Sequence, residues 1–263
     1  MATKIFLDPG HGGSDAGAVG NGLQEKDVTL KIALETRRIL LEEYEGVTVK
    51  MSREKDATVS LTQRTDAANA WNATFYLSIH INAGGGTGFE SYRYVQNGSS
   101  TTMTAQRNLH VAVLSASGWK DRGQKWANFH VLRESKMPAV LTENGFIDTS
   151  GDAAKLKETS FLKKLGRAHA EGLAKTFGLK KKTTPPPAGT LYRIIAGSYE
   201  DRTTAENQQS SLKKKGIDTW LWEYEKGKYR VVAGSYSNKS EADKASADLK
   251  KMGIENWIAV VEQ

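Results

Sequence analysis

Residues 74–82 read TFYLSIHIN, a mostly apolar run that carries His80 near its end. An apolar run of this kind is typical of a strand covered on both faces, so it marks the interior of a sheet. Upstream, KIFLD (residues 4–8) reads as a strand, and Val28, Ile32, Ile39 and Leu40 recur at helical spacing across residues 26–44. VTVKMS (47–52) is a strand, and SLTQRTDAANAW (60–71) opens a helix with Ser60 and Gln63 as a capping box. Downstream come FESYRYV (89–95), a polar helix around residues 104–115, strands at FHVL (129–132) and AVLTENGF (139–146), and a closing helix over 160–177. This alternation predicts an α/β fold, a mixed central sheet with helices on both faces. Functional groups of such folds gather beyond the strand ends.

Four residues stand at those ends. His11 follows the first strand in FLDPGHGG, Glu25 enters the first helix, His80 closes the apolar strand and Glu143 lies near the end of AVLTENGF. Two neutral imidazoles and one carboxylate are the ligand set of a catalytic zinc that keeps a fourth position for water. Glu143 would then be the base that takes the water proton and returns it to a leaving amine, the chemistry of amide hydrolysis. The plainer alternative is that a histidine at a strand end is structural. GHGGSDAG has neither the GxGxxG spacing nor the GK[ST] ending of a phosphate cradle, and no HExxH helix is present. His110, His130 and His169 read as structural or surface residues, His130 being the one that could lie near the site.

The 263 residues suit one domain or one and a half, and 38% hydrophobic content suffices for a core. With 37 Lys+Arg against 30 Asp+Glu the chain carries +7, which suits a polyanionic partner. No cysteine is present, so disulfides, thiolate zinc sites and thiol catalysis are excluded. The opening MATKIFLDPGHGG has only a three-residue apolar run before Asp8, against the roughly 7–15 of a secretory signal. The expectation is synthesis in the cytoplasm without a cleaved signal. No stretch approaches the roughly 20 apolar residues of a membrane span.

Residues 179–190, LKKKTTPPPAGT, read as a Lys/Thr/Pro linker, since three consecutive prolines favour extended polyproline II and end a helix. Beyond it, YRIIAGSYEDRTTAENQQSSLKKKGIDTW from Tyr192 aligns without a gap on YRVVAGSYSNKSEADKASADLKKMGIENW from Tyr229, at a constant offset of 37. Each copy reads as strand, helix and Trp-bearing strand, the helices opening on Thr203 with Glu206 and Ser240 with Asp243. With EKGK (225–228) as the central turn, residues 191–263 predict a small α+β βαββαβ domain.

Taken together, DPGHGG, LQEKD, LSIHINA and PAVLTENGF resemble, in that order, the motifs of the zinc-dependent N-acetylmuramoyl-L-alanine amidases called amidase 3, over residues 1–178. The resemblance implies Zn²⁺ held by His11, Glu25 and His80, with Glu143 as catalytic acid/base, cutting the bond between N-acetylmuramic acid and L-alanine in peptidoglycan. The repeat looks like a SPOR domain, a peptidoglycan-binding module associated with glycan strands stripped of stem peptides. Tyr192, Tyr199, Trp220, Tyr229, Tyr236 and Trp257 could stack on sugars there, although strand aromatics often serve the core. The whole plan resembles the autolysins that lyse the mother-cell wall in sporulation, acting on the wall after release. Phage endolysins share that plan, and a wall-binding protein with a structural zinc site is the other reading. The resemblance favours peptidoglycan as partner over nucleic acid or membrane, and a monomer.

Overall fold

The computed structural model describes residues 2–182 and 190–262, so the polyproline II expected at residues 185–187 lies outside the described residues. The chain divides into two compact units, Met1–Lys182 and Thr183–Gln263. The first contains β1 (Thr3–Pro9), a short pair β2 (Val19–Gly20) and β3 (Leu23–Gln24), α1 (Glu25–Glu43), β4 (Val47–Met51), α2 (Leu61–Ala70) and β5 (Phe75–Asn82). It continues through β6 (Phe89–Arg93), α3 (Ser100–Ser117), β7 (Asp121–Trp126), α4 (His130–Arg133), β8 (Ala139–Phe146), α5 (Ser150–Lys157) and α6 (Thr159–Phe177). Six strands form one sheet in the order β4-β1-β5-β8-β6-β7. The first four run parallel, β6 runs antiparallel to β8, and β7 is parallel to β6. The mixed α/β sheet read from the sequence is therefore present.

Strand alternation sorts its side chains into two cores. Ile5, Leu7, Leu77 and Ile79 pack with Ile32 of α1, Leu109 of α3 and Leu165 of α6 on one face. Phe6, Tyr76 and Leu141 face the other way, onto Ala68 of α2 and Val131 and Leu132 of α4, and form a lower core opposite the first, upper one. Covering both faces is why β5 carries its apolar run, each fully buried large side chain contributing about 1.5–3 kcal/mol.

One local expectation is corrected, and two elements are added to those read from the sequence. FHVL is not a strand: Phe129 O accepts from Leu132 N (3.1 Å) and Arg133 N (3.0 Å), closing the single turn of α4. Val131 and Leu132 both enter the lower core, which neighbours in a strand, pointing to opposite faces, cannot do. The additional strand is β7, DRGQKW, an edge strand whose polar sequence lacks the apolar signal. The closing helix is preceded by α5, and the two break at Glu158, whose ψ of 114° is extended.

The lysines expected to begin the linker belong to the first unit. Lys180 O accepts from Glu45 N at 2.9 Å, Lys182 N donates to Glu43 O at 2.7 Å, and Leu179 packs against the upper core. Among the described residues no helix is long and apolar enough to cross a membrane.

The second unit runs β9 (Thr190–Tyr199), α7 (Arg202–Lys214), β10 (Trp220–Glu225), β11 (Lys228–Tyr236), α8 (Lys239–Lys251) and β12 (Trp257–Glu262). Its antiparallel sheet has the order β10-β11-β9-β12. Ala196, Ala205, Leu212, Ile217, Val231 and Ile254 form its core. The caps lie two residues before the expected ones. Asp201 Oδ1 accepts from Thr204 N and Asn238 Oδ1 from Ser240 N, each at 2.8 Å. These caps are repeat equivalents, and an exposed Asx side chain satisfies the first free N–H groups directly. Asn238→Ala should therefore cost about 1 kcal/mol of the second unit's stability. Ser240→Ala should stay within about 0.5 kcal/mol in denaturant unfolding, and a larger loss there would return the cap to the serine.

Candidate active site

The turn after β1 is built to present a histidine. His11 has φ of 61°, a left-handed conformation that a non-glycine residue adopts only when its surroundings enforce it. Two buried arginines supply the enforcement. Arg64 donates to Asp8 Oδ1 (2.7 Å), Pro9 O (2.8 Å) and His11 O (2.8 Å). Arg53 donates to Pro9 O (3.2 Å), Gly10 O (2.9 Å) and Lys26 O (2.7 Å). Charge-assisted bonds to consecutive carbonyls fix the backbone on both sides of the turn. Gly17, at φ 66°, is required for contact as well as conformation, since a Cβ there would lie 2.6 Å from Glu25 Oε2 and from the His11 ring.

Glu25 joins the two histidines. Its Oε1 lies 2.9 Å from His80 Nδ1 and accepts from Ile81 N (3.0 Å). Oε2 lies 3.1 Å from His11 Nε2 and accepts from Ala18 N (2.9 Å). Burial pushes the Glu25 carboxyl up, but hydrogen bonds from His11 and His80 and their charges outweigh it and hold it well below the usual carboxylate range. Burial lowers the imidazoles, yet Glu25 overrides this too, raising His11 and bringing His80 up to about 9. One ligand atom from each of His11, Glu25 and His80 lies within 4.8 Å of the others. Two imidazole nitrogens and a carboxylate oxygen suit zinc better than magnesium or calcium, which prefer all-oxygen sites.

Strand pairing places the acid. Glu143 of β8 is in register with His80 of β5 on one side and Glu90 of β6 on the other. Burial raises the Glu143 carboxyl to about 7, with the His80 charge opposing and the Glu25 and Glu90 charges adding. Its Oε2 is buried and has no hydrogen-bond partner among the described residues. His11, His80 and Glu143 line one cavity of about 510 Å³, which Leu61, Phe129 and His130 also line. All four residues singled out in the sequence thus meet at one site.

Other charged groups came only with the structure. Glu90 is buried and takes Arg122 Nε at 2.9 Å, Lys125 Nζ at 2.5 Å and the Tyr92 hydroxyl at 2.8 Å. Its cationic partners sit on β7, which no sequence pattern revealed. Among the remaining histidines, His110 bonds Ser91 and Asp121, and burial lowers His169 to about 4, so both are structural as read. His130, read as structural or surface, is a wall of the cavity.

The strand ends of this α/β sheet bring together a His/Glu/His set with the spacing of a metal site and an unpaired carboxylate, the groups from which a hydrolase site can be built. The family model for N-acetylmuramoyl-L-alanine amidase matches residues 5–175, and the chain belongs to that family. The SPOR domain model matches residues 163–222 and 223–259. The chain is 56% identical over 216 residues to the sporulation-specific N-acetylmuramoyl-L-alanine amidase of Bacillus subtilis, covering 82% of this chain and 83% of the relative. It is 44% identical over 231 residues to the endolysin of Bacillus phage SPP1, covering 86% and 82%. The solved catalytic domain of CwlV, an amidase from Bacillus (Paenibacillus) polymyxa var. colistinus, matches with a TM-score of 0.64 at 32% identity, covering 68% of this chain and 99% of that one.

The paired charges set a pH dependence for the metal-free protein. A histidine raised on folding contributes stability that is present below its unfolded value of 6.5 and lost as pH rises through its folded value, here about 9 for His80. Chelated protein should therefore melt at progressively lower temperature from pH 6.5 to 9. A melting temperature that rises across that window would contradict the His80–Glu25 pairing.

Proposed function

We propose that this amidase is zinc-dependent, that His11, Glu25 and His80 hold the ion and that Glu143 is the catalytic acid/base. The observation that carries the reading is Glu143: a buried carboxyl at about 7, unpaired, beside a three-ligand cluster. Zinc bound there supplies Lewis acidity that makes water nucleophilic near neutrality. Glu25, hydrogen-bonded to two backbone N–H groups, keeps its carboxylate ionised and aimed between the two rings. Glu143 takes a proton from the attacking water as its oxygen bonds to the lactyl carbonyl carbon. The same carboxyl then gives that proton to the nitrogen as the C–N bond breaks. The products are a lactyl carboxylate and the free amine of L-alanine. Proton transfer of this kind contributes roughly 10²–10⁴ in rate.

The second unit is proposed as the wall-binding module, spanning residues 191–263. Arg193 lies 4.4 Å and Arg230 5.5 Å over the Trp222 ring, and Arg230 also lies 3.9 Å over Tyr224. Aromatic faces suit sugar rings, and the guanidinium groups suit anionic wall groups. Trp222 and Tyr224 are not among the aromatics shared by the two copies of the repeat, since Ala259 and Val261 stand at the equivalent positions. Of those that were, Tyr199 and Tyr229 pack against the core, whereas Trp220 and Trp257 are exposed.

The high identity to a sporulation-specific amidase supports a role as an autolysin in mother-cell lysis, acting on the wall. The similarity to a phage endolysin supports a second reading with the same chemistry in a different lytic setting. A purely structural metal site is disfavoured, because it would not need an unpaired acid beside it.

Glu143→Gln should keep wild-type zinc content and lose at least about 100-fold in turnover on soluble muropeptides. Retained turnover would remove Glu143 from the mechanism, and lost zinc would make it a ligand. Trp222→Ala should reduce sedimentation with purified walls while leaving that turnover unchanged. Unaltered sedimentation would take the ring out of the binding face.

A further inference from the structure

Glu90 gathers a charge cluster that takes no step in the proposed proton transfer. It is buried, and four side chains donate to its carboxylate. Asn82 Nδ2 (2.7 Å) and the Tyr92 hydroxyl (2.8 Å) reach Oε1, while Arg122 Nε (2.9 Å) and Lys125 Nζ (2.5 Å) reach Oε2. Two cations share one carboxylate, so the cluster carries one positive charge in excess. The acid next to Arg122 in the chain does not cancel it, because Asp121 accepts from Gly123 N at 2.7 Å and lies 2.9 Å from His110 Nε2.

This cluster borders the site. Glu90 and Glu143 are register partners on adjacent strands, and Asn82 stands two residues beyond His80 on β5, on the same face by strand alternation. The Tyr92 ring lies 5.2 Å from that of Phe129, which lines the site cavity, and Lys125 Nζ lies 5.8 Å over the Tyr92 ring. β7 runs two strand spacings, about 9–10 Å, from β8. From there the Arg122 guanidinium extends back to lie 4.7 Å over the ring of Phe146, on β8.

Arg122 is held with one edge open. Its Nε is bonded to Glu90, whereas Nη1 and Nη2 make no hydrogen bond among the described residues. About a third of each side chain is exposed, 30% for Arg122 and 38% for Lys125. Arg64, which serves the fold, instead donates through all three nitrogens. A guanidinium pinned at Nε presents its two amino groups as the fork that takes a carboxylate.

We propose that Arg122, with Lys125 beside it, is an anion subsite for the carboxylate of the stem-peptide residue that follows L-alanine, a proposal that rests on the amidase reading. In the substrate the lactyl carboxyl is tied up in the bond to be cut and the sugars bring hydroxyls and acetamides, so free carboxylates belong to the peptide side. A chain advances about 3.3–3.6 Å per residue, which puts the second residue about 7 Å past the bond. A guanidinium that reaches back over β8 can meet it there. The enzyme would thereby distinguish stems with a free carboxylate from stems in which it is amidated.

The test uses the zinc-loaded full chain and two soluble muropeptides that differ only at that residue, one with the carboxylate and one with the carboxamide. We expect a wild-type KM about tenfold lower for the carboxylate, and in Arg122→Gln two values within about twofold of each other. Gln retains a donor for Glu90, and a disturbance passed through Glu90 to Glu143 would act on both substrates alike. A wild-type ratio preserved in Arg122→Gln would therefore overturn the subsite. Equal KM for the two substrates in the wild type would overturn it without any variant. If the wild type frees the amine of L-alanine from neither muropeptide, the amidase reading itself fails and the subsite falls with it.

Discussion

The buried carboxylate of Glu25 is the constraint on which the site depends. It stands at the first position of α1, where Gln24 makes no side-chain cap and the helix N-terminus favours negative charge. From there it accepts from Ala18 N and Ile81 N and reaches both His11 and His80. One carboxylate thus ties together the turn after β1, the end of β5 and the start of α1. Burying an ion this way is tolerable only because every lone pair direction is answered, and removal of either histidine would leave one of them without a donor. The left-handed His11 is the second half of the same device. Arg53 and Arg64 hold the surrounding carbonyls, so the backbone cannot relax away from Glu25.

Sheet order turns that local device into an active site. β1, β5 and β8 are neighbours and run parallel, so His11, His80 and Glu143 leave the sheet at the same edge. The register that sets His80 beside Glu143 also sets Glu143 beside Glu90. The carboxyl is therefore raised by burial and by neighbouring acids, as the proposed proton transfer requires. Glu90 in turn is kept ionised by Arg122 and Lys125, so its charge is a fixed part of that environment.

The legible parts of the sequence were those where one signal dominated. β5 declared itself through burial on both faces, the Ser60–Gln63 box through its spacing, and the βαββαβ unit through repetition; the box is present with both bonds made. The meeting of His11, Glu25, His80 and Glu143 was legible because each is a chemically distinctive group placed at the end of a strong element. What escaped was governed by tertiary context. Val131 and Leu132 look like strand residues until the lower core takes both. β7 is polar because it is an edge, and with it went the partners of Glu90. The caps of α7 and α8 were misplaced because two candidate residues stand close together, and only the backbone angles choose between them. His130 was read as structural or surface, the one of three histidines that could lie near the site, and only the fold shows that it lines the cavity.

The central claim is that this site hydrolyses the amide between the lactyl group and L-alanine with a metal at His11, Glu25 and His80. Mass spectrometry of purified peptidoglycan digested by the zinc-loaded protein, beside a chelated control, addresses it most directly. The account predicts free stem peptides beginning with the amine of L-alanine in the first sample and none in the second. Intact muropeptides in both, or equal release with and without the chelator, would contradict it.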